Sequence, residues 1–128
     1  MKYFATLLLL FATGVACGQQ NYPQDITLSW ENASEYVDAT LIEAGDLTGV
    51  KIDCYRQNDT VPILSAIVPV TGEGLPQTET YAAAIPRPGT YRCEGFSIVI
   101  GDIYSDASAP SFKKFVGKPK TIKFLKFE

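Results

Sequence analysis

The chain contains no histidine. That single absence removes Ser-His-Asp and Cys-His nucleophile systems and most zinc sites. Cysteine is scarce, with three residues. Cys17, Cys54 and Cys93 are too far apart for the Cys-x-x-Cys spacing of redox and metal motifs. No stretch repeats apolar residues at three- and four-residue intervals, so amphipathic helices are not expected. The one strongly apolar run, Leu7 to Phe11, is too short to span a bilayer. There is no internal repeat and no low-complexity segment.

What is present begins with a compartment signal. Lys2 supplies a positive n-region, Leu7-Leu8-Leu9-Leu10-Phe11 an apolar h-region, and Ala12 through Gly18 a small-residue stretch. This is the layout of a signal peptide over residues 1–18. Cleavage after Gly18 places Ala16 at the −3 position and leaves Gln19 as the new terminus. A second reading uses Val15-Ala16-Cys17-Gly18, which is similar to part of a bacterial lipobox, with Gly14 where leucine is usual. Cys17 would then carry a lipid anchor, the one membrane attachment the sequence suggests. The soluble form is preferred. In both cases Cys17 leaves the thiol count, and Cys54 and Cys93 remain as an even pair in an oxidising compartment. A structural disulfide is expected; the alternative is two reduced thiols buried as small hydrophobes.

Removing the leader leaves enough chain for one domain with one core, residues 19–117, followed by a Lys-rich strand or tail, residues 118–128. The domain is rich in Thr, Val, Ile, Tyr, Pro and Gly, with turn residues at short intervals, which favours many short strands. Ile26, Leu28 and Trp30 alternate onto one face, as do Val50, Ile52 and Cys54. Glu31 to Asp38 reads as a loop. Pro62 to Val70 reads as an edge strand, because proline brackets it. Thr71 to Gly74 is a turn, Thr80 to Ile85 a strand, and Pro86-Arg87-Pro88-Gly89 a rigid corner. A strand opens at Tyr91 and Cys93 and continues through Phe96, Ile98 and Ile100. Gly101-Asp102 then turns the chain toward Tyr104 and a last strand near Phe112 to Val116. The fold expected is an all-β sandwich.

Three segments taken together resemble a fibronectin type III domain: Trp30 at the end of an early strand, Leu47-Thr48-Gly49-Val50-Lys51-Ile52, and Pro88-Gly89-Thr90-Tyr91. The late stretch Ser105-Asp106-Ala107-Ser108-Ala109-Pro110-Ser111 fits the same pattern. The resemblance covers most of residues 22–117. It implies an immunoglobulin-like antiparallel β-sandwich of about seven strands. Trp30 would lie in the core, and Tyr91 would make a corner hydrogen bond. The strand order it implies sets Cys54 opposite Cys93 on adjacent strands of one sheet, both facing the core. There are three departures. Ala33 stands where a proline often follows the tryptophan, and Ala39 follows Asp38 where a glycine is frequent, which should loosen the loop after Trp30. The cysteine pair is the third.

Chemistry beyond this is thin. Asp102 and Asp106 flank a turn and are read as solvated polar residues, not calcium ligands. Acids are plentiful, but glycoside hydrolysis needs two carboxyls about 5–10 Å apart across a cleft, which a small sandwich rarely supplies. No catalytic residue, metal or cofactor is therefore assigned, and an enzyme is not expected. Asn32-Ala33-Ser34 and Asn58-Asp59-Thr60 form sequons, discounted because the leader and the style of the domain look bacterial or phage-borne.

Charge is unevenly placed. Between Gln19 and Asp106 the only cations are Lys51, Arg56, Arg87 and Arg92, whereas Lys113, Lys114, Lys118, Lys120, Lys123 and Lys126 follow among Phe112, Phe115, Ile122, Phe124, Leu125 and Phe127. These lysines form a candidate interaction patch for an anionic surface or glycan; nucleic acid is not expected. The preferred reading is simpler: they guard an exposed strand edge. The function expected is an exported, non-enzymatic binding module that holds a protein or carbohydrate partner at the cell surface or envelope. The alternative is a structural or accessory protein packed into an envelope or phage-particle assembly. Intact mass of the exported protein is expected to show loss of residues 1–18 and of two protons for a Cys54–Cys93 bridge. Two free thiols would overturn the bridge.

Overall fold

The computed structural model describes residues 8–11 and 21–119. It is all-β, with eight strands and no helix among the described residues: β1 Leu8–Phe11, β2 Gln24–Glu31, β3 Leu47–Arg56, β4 Leu64–Pro69, β5 Pro76–Ile85, β6 Gly89–Val99, β7 Ile103–Tyr104 and β8 Ser111–Phe115. They form a three-stranded sheet in the order β1-β2-β5 and a five-stranded sheet in the order β4-β3-β6-β7, with β8 also paired to β6. Every pairing between these strands is antiparallel.

The two sheets face each other as a β-sandwich because each presents an apolar row at two-residue spacing. From β2 come Ile26, Leu28 and Trp30. From the facing sheet come Val50, Ile52 and Cys54 of β3, Tyr91 and Cys93 of β6, and Phe115 of β8; all are buried in one cluster. A second cluster, Ala33, Ile42, Leu47 and Val99, closes the end of the sandwich beneath the loop after β2.

Cys54 and Cys93 lie directly opposite each other in the β3–β6 register and are joined by a disulfide, both fully buried. The bridge lies within the five-stranded sheet and does not tie the two sheets together. Two residues before Cys93, the ring of Tyr91 meets Phe115 edge-on at 5.7 Å between centroids. Its hydroxyl donates to the Arg87 carbonyl at 2.7 Å, across the Pro86–Gly89 corner. This satisfies the polar end of a side chain whose ring is in the core.

Three differences from the sequence reading bear on the faces and edges of the sheets. β5 begins at Pro76, four residues before Thr80; its alternation is masked by the polar Gln77, Thr78 and Glu79, which an edge strand tolerates. Phe96 does not continue the core row. Cys93 fixes the odd-numbered residues of β6 inward, so Phe96 falls on the outer face with Arg92 and Glu94, and Ile100 is exposed beyond the strand end. Finally, Leu8–Phe11, the centre of the leader's apolar region, is paired with Leu28–Glu31 of β2. Cys17 and the cleavage point at Gly18 lie outside the described residues.

Loss of the bridge removes a constraint on a loop closed across a sequence separation of 39. In the chain-entropy model this is worth about 4 kcal/mol. Reduced protein, or the Cys54→Ala/Cys93→Ala pair, is expected to unfold at lower denaturant by an amount near that figure. Urea titrations with and without reductant measure it, and a difference below about 1 kcal/mol would contradict the assignment.

Candidate functional site

Register alone builds a chemically varied surface, the outer face of the five-stranded sheet. Inward positions of β3 are fixed by Val50, Ile52 and Cys54, so Lys51, Asp53 and Tyr55 face out. Opposite them β6 sets Phe96, Glu94 and Arg92; β4 sets Ile67 and Ser65; β8 sets Phe112. Three cross-strand rows result. The first is Ile67, Lys51 and Phe96; the second is Ser65, Asp53 and Glu94; the third is Tyr55, Arg92 and Phe112.

The side chains of these rows are held. The Lys51 ammonium lies 5.8 Å from the centre of the Phe96 ring and 3.5 Å from an Asp53 carboxylate oxygen. The other Asp53 oxygen accepts the Ser65 hydroxyl at 2.6 Å. Asp53 is only 6% exposed, so its carboxylate is a covered group with both oxygens engaged, not a free general base. Arg92 is stacked on Tyr55 at 4.1 Å from the ring centre. Its guanidinium donates to the Gln57 carbonyl and to the Asp59 carbonyl, both at 3.0 Å, which pins the turn after β3. Phe112 and Ile67 flank these pairs and are 54% and 63% exposed. The face therefore offers fixed aromatic and guanidinium planes with apolar borders, a composition enriched at recognition surfaces.

The loop after β2 is ordered by its own bonds, contrary to the looseness expected from Ala33 and Ala39. Asn32 is buried. Its amide oxygen accepts the Trp30 indole N–H at 2.8 Å, and its NH2 donates to the Gly72 carbonyl at 3.0 Å and to Gln77 Oε1 at 3.1 Å. This ties the loop to the turn before β5 and removes Asn32 as a glycan acceptor, whereas Asn58 is exposed. Further along, a Glu35–Leu41 bridge closes the loop. The Asp38 carboxyl is held below the usual range, chiefly by the Thr40 hydroxyl and then its backbone N–H. The Glu73 carboxyl is lowered too, chiefly by its own backbone N–H and then by that of Gly45, 2.9 Å away.

Within the described part of the lysine run, Lys113 and Lys114 leave β8 on opposite sides. Strand alternation sends Lys114 outward and Lys113 toward the core side, where its ammonium sits 5.1 Å from the centre of the Phe115 ring. Lys118 is exposed, and Lys120, Lys123 and Lys126 lie outside the described residues. Asp102 and Asp106 are exposed, and among the described residues no three His, Cys, Asp or Glu side chains converge to hold a metal ion. The sequence reading missed the outer face because it followed inward residues. Counting by two from Cys93 turns Tyr91, Gly95 and Ser97 inward and leaves Arg92, Glu94 and Phe96 together on the outer face.

No family model matches the chain, and no curated protein matches it. A solved structure described as "Myokine structure" is similar at 12% identity, with a TM-score of 0.48 over 93% of this chain and 98% of that one. A likeness at that level assigns neither family nor activity. The disulfide is consistent with an oxidising compartment, and among the described residues no helix is long and apolar enough to cross a membrane.

Ala39 has φ 67, left-handed backbone that glycine adopts without a Cβ penalty. Ala39→Gly is therefore expected to stabilise the protein by about 0.5–1 kcal/mol. A raised thermal midpoint in calorimetry checks this; a lowered one would refute the strain.

Proposed function

We propose that the protein is an exported, non-enzymatic binding module of the fibronectin type III kind, whose recognition surface is the outer face of the five-stranded sheet. The observation that carries this is the pair Tyr55–Arg92 beside Lys51–Phe96: aromatic and cationic groups already held in place, bordered by exposed Phe112 and Ile67. Groups held before binding lose little side-chain entropy on contact, so more of their interaction appears as affinity. Such a face suits a protein surface carrying acidic and apolar groups, or a carbohydrate whose C–H faces stack on the rings. The Tyr91 corner bond and the core Trp30 support the fibronectin-like reading, as does the pairing of β2 with β5 and of β3 with β6. The leader and the disulfide support export.

A second reading is favoured by one specific observation. The leader segment Leu8–Phe11 occupies a pairing position on β2, and a strand position that empties on processing suits a component of a larger assembly.

For the first reading, screening the exported protein against glycan arrays and envelope or surface proteins should yield a ligand whose amide-exchange footprint covers β3, β6 and β8. Phe112→Ala should weaken its binding tenfold or more while leaving the thermal midpoint within a few degrees. A footprint confined to residues 31–38 or 101–106 would move the site to the loops and reject the sheet face.

A further inference from the structure

Most strand edges of this sandwich carry a feature that discourages pairing with another chain. β4 borders the five-stranded sheet and ends in Pro69. β5 borders the three-stranded sheet, with Glu79 opposite Leu28 on the core-facing side. Near its end Ala83 adopts φ 54, and its N–H donates to the Asp25 carboxylate at 2.8 Å, not to a ladder carbonyl. On the remaining border β7 has only two residues, and β8 turns Lys113 toward the core side.

β2 differs. Along Leu28–Glu31 its edge away from β5 is covered by β1. β1 also reaches β8 and β6 of the facing sheet, closing that side of the sandwich. With β1 in place Leu28 is fully buried and Trp30 is 4% exposed. Yet β1 is Leu8-Leu9-Leu10-Phe11, the apolar centre of the leader. Cleavage after Gly18 removes it entirely. The edge N–H and C=O groups of Leu28–Glu31 then lose their partners, and the flank of Leu28 and Trp30 opens. Both effects are costly unless another strand arrives.

We propose that a second copy of this chain fills the vacated position with its C-terminal segment, residues 121–127, paired antiparallel to β2. The proposal rests on the assembly reading and on leader removal. Thr121-Ile122-Lys123-Phe124-Leu125-Lys126-Phe127 is composed as a strand, and Ile122 and Phe124 repeat the two-residue spacing of Leu28 and Trp30. Charge is complementary where the donor enters, since Lys120, just before it, and Lys123 lie toward the Glu31 end of the receiving edge and the body is acidic.

Direction selects a second copy over the chain's own tail. The Val116 carbonyl accepts the Tyr22 hydroxyl at 2.8 Å, so the chain leaves β8 beside the start of β2, at the end remote from Glu31. Folded back along β2, its own tail would run parallel to it. β1 holds the position antiparallel, as do all the other strand pairs. A neighbour's tail entering from the Glu31 end meets that direction, by the strand-addition mode of recognition. Because the donor segment and the receiving edge are different surfaces, the contact repeats head to tail and need not close.

The test uses the exported protein purified after processing, its termini fixed by intact mass. Sedimentation velocity should show multiples of the single-copy mass that grow with concentration, and Ile122→Lys with Phe124→Lys should return it to one copy that stays folded by circular dichroism but melts at a lower temperature, because the β2 edge is then uncovered. Copies with Ser29→Cys and differently tagged copies with Lys123→Cys, mixed and oxidised, should give a crosslink between the two tags. A cleaved protein that stays at one copy with no crosslink overturns the proposal and leaves the sheet-face reading standing. A crosslink formed only within a copy bearing both cysteines assigns the edge to the chain's own tail and overturns it as well. An exported protein that retains residues 8–11 has no vacated position and overturns the proposal as well, a result independent of whether ligands bind the sheet face.

Discussion

The pairing of β3 with β6, locked at Cys54–Cys93, is the constraint on which the remaining structure depends. These two long strands form the centre of the larger sheet, with β4 on one side and β7 and β8 on the other. Fixing their register at one covalent point fixes which residues of both face inward, because the side-chain period is two and a slip of one residue would exchange the faces. Val50, Ile52, Tyr91 and Cys93 enter the core for that reason. By the same parity Lys51, Asp53, Tyr55, Arg92, Glu94 and Phe96 are delivered to the opposite face. Core and candidate recognition surface are two sides of one register.

The outer face shows how charge is managed without a cleft. Asp53 and Glu94 are cross-strand neighbours of like sign, an unfavourable juxtaposition taken alone. Ser65 and Lys51 engage the Asp53 carboxylate, and Lys51 in turn lies over Phe96. Arg92 spends its donors on the carbonyls of the adjacent turn while presenting its plane to Tyr55. Polar groups in this arrangement order the surface, and the rings and apolar borders remain available for contact.

The borders of the sheets follow a separate logic. Proline, an inward acid, a positive-φ residue and an inward lysine discourage pairing at β4, β5 and β8, whereas β2 is covered along Leu28–Glu31 by the apolar segment Leu8–Phe11. The lysine run has a physical place on both counts. Lys113 guards an edge by turning toward the core side, and the later lysines belong to the segment assigned here to a neighbouring copy.

Much of the fold was legible in the chain. Alternation in Ile26–Trp30 and Val50–Cys54 identifies strands and their buried faces, because a half-buried strand must separate apolar from polar residues by two. Proline around residues 62–69 marks an edge, since proline cannot donate to a ladder. The missing histidine excludes whole classes of chemistry, and two cysteines left after export suffice to expect a bridge. Other features depended on residues distant in sequence. Asn32 reads as a sequon in a polar loop, and only its convergence with Trp30, Gly72 and Gln77 makes it a buried tie. Phe96 reads as core until Cys93 sets the parity of its strand. The cross-strand rows of the outer face, and the cover on β2, exist only when strands from separate parts of the chain are laid side by side. Strand content and the core's apolar rows could be read from the chain alone, because local periodicity and residue chemistry govern both. Which polar and aromatic groups share a surface, and which segment covers the edge of β2, emerged only in the folded protein, because both are properties of register between strands.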